Sequence, residues 1–183
     1  MAAACAFAAA GDHAAALKCL LVLAPSVAGR LVRVPPAFDL LFTAALAGDA
    51  AGSGLAADVW PDDVSHLILP FLSAPIVYRV LLALGAAPPP AATRRAAVGA
   101  GIATAVGVLA LGALWELVEW GSDVAFGTDY SQGYWDTLSD LLLDAIAAVL
   151  GGALVAVWLA RAARQRRGRH LAGERRSDYR AAA

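Results

Sequence analysis

The chain has 183 residues, 60% of them hydrophobic and 16% charged, with a mean hydropathy of +0.65 and a formal net charge of −1. Soluble domains average about 45–50% apolar and about 25% charged, so this composition excludes an ordinary soluble domain. The small net charge conceals an asymmetry: 8 of the 14 Lys and Arg lie between Arg161 and Arg180, which reads as the cytoplasmic flank of a membrane protein rather than a nucleic-acid site.

A spanning helix needs about 20 mostly apolar residues. In chain order the first stretch runs over about 7–29 and is weakened by Asp12, His13 and Lys18. An in-plane amphipathic segment is the alternative there. Cys5 and Cys19 lie in or beside it and read as membrane-packed thiols. A second span is expected over 37–57, carrying Asp39 and Asp49, and a third over 64–85, carrying His66 and Arg79 and kinked by Pro70 and Pro75. The fourth, over 95–120, is uncharged from Val98 to Trp115 and holds small residues at Gly99, Gly101, Ala103 and Gly107 that suit close helix packing. The fifth, over 136–160, is apolar after Leu141 except for Asp144. The predicted architecture is thus an all-α polytopic bundle of about five spans over residues 1–160, with a basic tail over 161–183 that extends the last helix.

The connections alternate in charge. Arg30 and Arg33 follow the first span, Arg94 and Arg95 the third, and the arginine-rich tail the fifth. The loops Asp58–Asp63 and Gly121–Trp135 contain no Lys or Arg. The positive-inside rule then places the N-terminus outside, the C-terminus inside and both acidic loops outside.

Ligand-type residues gather at the outer ends of three spans. Asp62, Asp63 and His66 open the third, Glu116 and Glu119 close the fourth, and Asp136, Asp140 and Asp144 begin the fifth. Residues four apart, such as Asp62 and His66, stack on one helix face, and the three aspartates advance only about 40° per step, forming one stripe. Charges in a membrane are costly, and like charges this close cannot all remain ionised in a low dielectric. A divalent metal held by Asp62, His66, Glu116, Glu119, Asp136, Asp140 and Asp144 would resolve the repulsion, with nitrogen and hard oxygen donors suiting Zn, Mn or Fe. Shared protons would resolve it too, with Glu116, Glu119, Asp136 and Asp140 as the candidate acid–base groups. Individually, Asp62, Asp63 and Asp136 also read as helix caps. Tyr134 and Trp135 fit an interfacial aromatic belt, or a lid over the cluster.

Trp115-Glu-Leu-Val-Glu-Trp120, then Gln132-Gly-Tyr-Trp-Asp-Thr137 and Asp140, together with Asp62-Asp-Val-Ser-His66, Pro75 and Arg79, resemble the YjdF-like family of bacterial inner-membrane proteins over about residues 30–152. The Gln132–Asp136 step is one residue shorter than in that family, with Tyr134 in place of its first acid, and Asp144 stands where many members are apolar. A fainter similarity is to VanZ-like proteins. The resemblance implies a multispanning inner-membrane protein and leaves the biochemistry open. Three classes of function compete: a metal-dependent protein acting on a lipid-linked or membrane-soluble substrate, a proton- or cation-coupled transporter, and a structural or regulatory subunit. The lipid bilayer is the expected partner, anionic lipids are expected at the tail, and no nucleic acid is expected.

Overall fold

Pro36 opens the first of the helices described here, α1 (Pro36–Leu55), at a position where its missing N–H would have no helical partner anyway. The Pro35 carbonyl accepts from the amides of Phe38 and Asp39 at 2.9 and 3.2 Å and so closes the first turn. The computed structural model describes residues 9, 27, 29–55, 62–89 and 93–181. After α1 come α2 (Asp62–Ala83), α3 (Arg94–Phe126) and α4 (Tyr134–Ala181), and the described residues contain no strand.

Local chemistry sets the ends. α2 begins on Asp62 and Asp63, whose carboxylates suit the positive end of the helix dipole. It stops at Gly85, where φ is 72°, with Gly85 N–H donating to the Leu82 carbonyl and Ala86 N–H to the Leu81 carbonyl. That pair of bonds needs a left-handed residue, which glycine adopts without a Cβ clash. Thr93 caps α3 by accepting from the Ala96 amide at 3.3 Å. Gly127, at φ 68°, ends that helix, its N–H donating to the Asp123 carbonyl at 3.0 Å.

The all-α expectation is borne out. α2, α3 and the Tyr134–Arg166 part of α4 are long and apolar enough to cross a membrane, and α1 carries a shorter apolar stretch, Pro36–Gly48. About five spans fit this architecture, although the first expected span, about 7–29, lies outside the described residues apart from positions 9, 27 and 29. The helix limits differ from expectation mainly in α3, which continues past Trp120 to Phe126. Its 33 residues measure about 50 Å, more than the apolar thickness of a bilayer.

α2, α3 and α4 pack pairwise, and among the described residues α1 lies against α2 alone. Ala74, Tyr78, Ala100, Val108, Ala148, Val155 and Leu159 form the three-helix core, while Val34, Phe42, Leu46 and Ile76 join α1 to α2. Large apolar side chains such as Ile102, Val106, Leu117, Leu142 and Val149 point outward, as a lipid-facing surface requires. Contact is closest at paired glycines. A Cβ on Gly101 would sit 2.6 Å from the Gly152 carbonyl oxygen, and one on Gly151 would sit 2.6 Å from the Ala74 Cβ. These small residues let helix backbones touch, the main source of helix association in lipid.

The pair Gly99 and Gly101 tests this packing. A Cβ at Gly99 meets nothing within 4 Å. Gly101→Ala is expected to lower the thermal midpoint in detergent, by overpacking of about 1–3 kcal/mol. Gly99→Ala is expected to leave it unchanged or raise it slightly, because alanine favours helix.

Candidate metal centre

Because α3 runs antiparallel to α2 and α4, its C-terminal end meets their N-terminal ends, and every site residue expected from the sequence sits at this end of the three-helix unit. His66, Glu116, Glu119, Asp140 and Asp144 are all buried, with Asp140 and Asp144 only 1% exposed. Asp62 and Asp136 are half-buried at the rim, and Asp63 is exposed and takes no part. The stripe expected on α4 therefore exists, and it deepens from Asp136 to Asp144.

His66 is the hub. Its Nδ1 lies 3.2 Å from Asp144 Oδ1, while Nε2 lies 3.7 Å from Glu116 Oε1 and 3.9 Å from Asp62 Oδ2. With its proton on Nδ1, the ring donates to Asp144 and leaves the Nε2 lone pair facing the other carboxylates. A carboxylate that accepts the other ring N–H fixes a metal-binding histidine in this way. Asp144, expected among the ligands, meets the ring at Nδ1, where it can orient it. Pro70, one turn further along α2, has no N–H to give to the His66 carbonyl, which loosens the helix where the ring must be aimed.

Three sets of ligand atoms lie within 4.8 Å of one another: Asp62, His66 and Glu119; His66, Glu116 and Asp140; and Asp62, Asp136 and Asp140. Both oxygens of Asp140, and Oδ2 of Asp136 and of Asp144, are buried without a hydrogen-bond partner. Buried carboxylate oxygens left so are costly and rare in folded proteins, and a cation is one way to satisfy them. Glu119 differs, because its Oε1 accepts from the Trp115 indole N–H at 2.9 Å. Arg79 is thirteen residues beyond His66 on α2, about 20 Å along the axis, too far to neutralise the cluster.

Two further residues shape the site without standing out in the sequence. Gly112 faces Asp144 so closely that a Cβ there would overlap the carboxylate, so only glycine leaves this room. Asp123 anchors the loop between α3 and α4, accepting from Thr128 Oγ1 at 2.5 Å, Tyr130 N at 2.8 Å, and Ser131 Oγ and N at 2.6 and 3.0 Å. A signal for Asp123 was available in Asp-x4-Thr with a nearby serine, a pattern that lets a carboxylate collect loop donors. Tyr134 and Trp135 stack edge to face at 5.3 Å and are largely exposed, which fits the interfacial belt and leaves the cluster uncovered by them.

Asp123→Ala is expected to free the loop while leaving α3 intact. Hydrogen exchange at the Tyr130 and Ser131 amides should then accelerate by about tenfold or more, the equivalent of losing charge-assisted bonds of about 1.5–3 kcal/mol. Unchanged exchange at these amides would show that the carboxylate does not hold the loop.

Neither the curated proteins nor the solved structures contain a match to this chain. A family profile does match, over residues 3–164, and it agrees with the YjdF-like resemblance while not extending to the VanZ-like one. The chain belongs to the family described as "Predicted membrane protein (DUF2238)".

Proposed function

We propose that this protein is a multi-pass bacterial inner-membrane protein that binds a divalent cation through His66, Glu116 and Asp140 near the extracytoplasmic face, and that it acts there on a lipid-linked or membrane-soluble substrate. The observation that carries this reading is Asp140, 1% exposed with neither oxygen hydrogen-bonded, beside His66 and Glu116. One nitrogen and two oxygen donors suit Zn, Mn or Fe. A bound cation of this kind supplies a polarised oxygen or an activated water. His66 supplies the oriented nitrogen, Asp144 holds the ring, and Glu119 is held by Trp115 at the edge of the cluster.

Orientation follows from charge. The arginines at positions 30, 33, 94 and 95 and those of the tail lie at the opposite end of the bundle from the acidic cluster, which supports an N-terminus outside, a C-terminus inside and a tail against anionic lipid headgroups. A transport pathway would need polar groups continuing inward from Asp144. Below it the described residues close on Ala147, Ala148, Val108 and the Gly101–Gly152 contact, and the Thr104 hydroxyl is spent on the Ala100 carbonyl at 2.8 Å. The packing favours a pocket with a floor over a channel.

Elemental analysis of detergent-purified protein, prepared without chelator, tests the reading. Wild type is expected to carry stoichiometric metal, and Glu116→Ala and Asp140→Ala are expected to lose it. A wild type devoid of metal would return the cluster to shared protons or a structural role. Gly112→Ala, which displaces Asp144 from beside His66, is expected to weaken metal affinity about 10–100-fold in a competition titration. Gly121→Ala, where a Cβ meets nothing within 4 Å, is expected to have no effect.

A further inference from the structure

We infer that the cluster holds a second divalent cation beside the first, bound by Asp62, Asp136 and Asp140, with Asp140 bridging the two. This rests on the metal reading above and deepens it. His66 can give only one nitrogen to a metal, because Nδ1 faces Asp144 at 3.2 Å, so the two ligand sets that contain His66 describe one cation position between them. The set Asp62, Asp136 and Asp140 shares nothing with His66, Glu116 and Asp140 except Asp140 itself. A carboxylate has two oxygens and can bind one cation with each. Both oxygens of Asp140 are buried and without a hydrogen-bond partner on a side chain that is 1% exposed, and Asp136 Oδ2 is a further buried oxygen in the same condition.

Charge points the same way. No Lys or Arg among the described residues is paired with Asp62, Glu116, Asp136, Asp140 or Asp144. With His66 neutral as a ligand, one dication leaves three of these five carboxylates uncompensated, and a second leaves one. Uncompensated charge in a low-dielectric interior is what such a site must minimise.

The two positions differ in chemistry. The deeper one has a nitrogen donor, and all three of its ligand residues are buried. The outer one is all oxygen, and the Asp62 side chain is 36% exposed, which gives a cation an entry path and room to keep water. Hard cations that retain waters, Mg²⁺ or Mn²⁺, suit such a set.

Mn²⁺ is the probe. It is titrated into full-length, metal-stripped protein in detergent, and bound metal is counted by electron paramagnetic resonance and elemental analysis. Wild type is expected to bind two Mn²⁺ per chain with spin coupling between them. Asp136→Asn and Asp62→Asn are each expected to bind one, uncoupled, and Asp140→Asn to weaken both positions. Asp63→Asn, an exposed neighbour outside every ligand set, is expected to keep two. A wild type that binds one Mn²⁺, with Asp136→Asn and Asp62→Asn also binding one, would overturn the second position and leave the first standing. Binding of none in wild type would overturn both.

Discussion

The constraint on which the acidic end of this bundle depends is the cost of keeping carboxylates away from water. Glu116, Glu119, Asp140 and Asp144 are buried together around one imidazole. Removing even one such charge from water costs several kcal/mol before any partner is found. Much of the local architecture answers that cost. His66 is turned so that one nitrogen serves Asp144 and the other meets Glu116 and Asp62, and Trp115 gives its indole N–H to Glu119. Gly112 supplies the space that brings Asp144 against the ring.

The rest of the bundle follows the opposite rule. Away from the cluster, α2, α3 and α4 meet through glycine and alanine, and their large apolar residues face outward. Lipid solvates leucine as well as a protein core does, so burying leucine gains little, and close backbone contact is what holds helices together. Pro75 adds to this. It leaves the Phe71 carbonyl without its helical donor, and that oxygen lies 3.3 Å from where a Gly151 Cβ would be. A tight lower half thus supports an upper half that carries polar groups and oxygens with no partner.

Much of this was legible in the sequence, for physical reasons that differ from feature to feature. The helices over 64–85, 95–120 and 136–160 were readable because lipid demands long uncharged runs, and a charge inside such a run stands out. The convergence of Asp62, His66, Glu116, Glu119, Asp136 and Asp140 was readable because antiparallel neighbours must bring those ends together. The contact of Asp144 with the His66 Nδ1 was not, since helical spacing says which face a residue occupies and nothing about which atom of a distant ring it meets. Gly112 looked like one more small packing residue in a glycine-rich helix. The extension of α3 to Phe126 was hidden by Gly121, Ser122 and Asp123, poor helix formers whose placement is set by the loop bonds that Asp123 collects.

The fit between Gly112 and Asp144 couples two helices through one side chain. One position is a hole and the other the peg that fills it, on different helices and 32 residues apart in the chain. A larger residue at 112 would evict the carboxylate, and an apolar residue at 144 would leave the His66 Nδ1 without its acceptor beside an empty notch. The effects of changing the two positions are therefore not additive: once the acid is gone, a side chain at 112 has the notch to occupy.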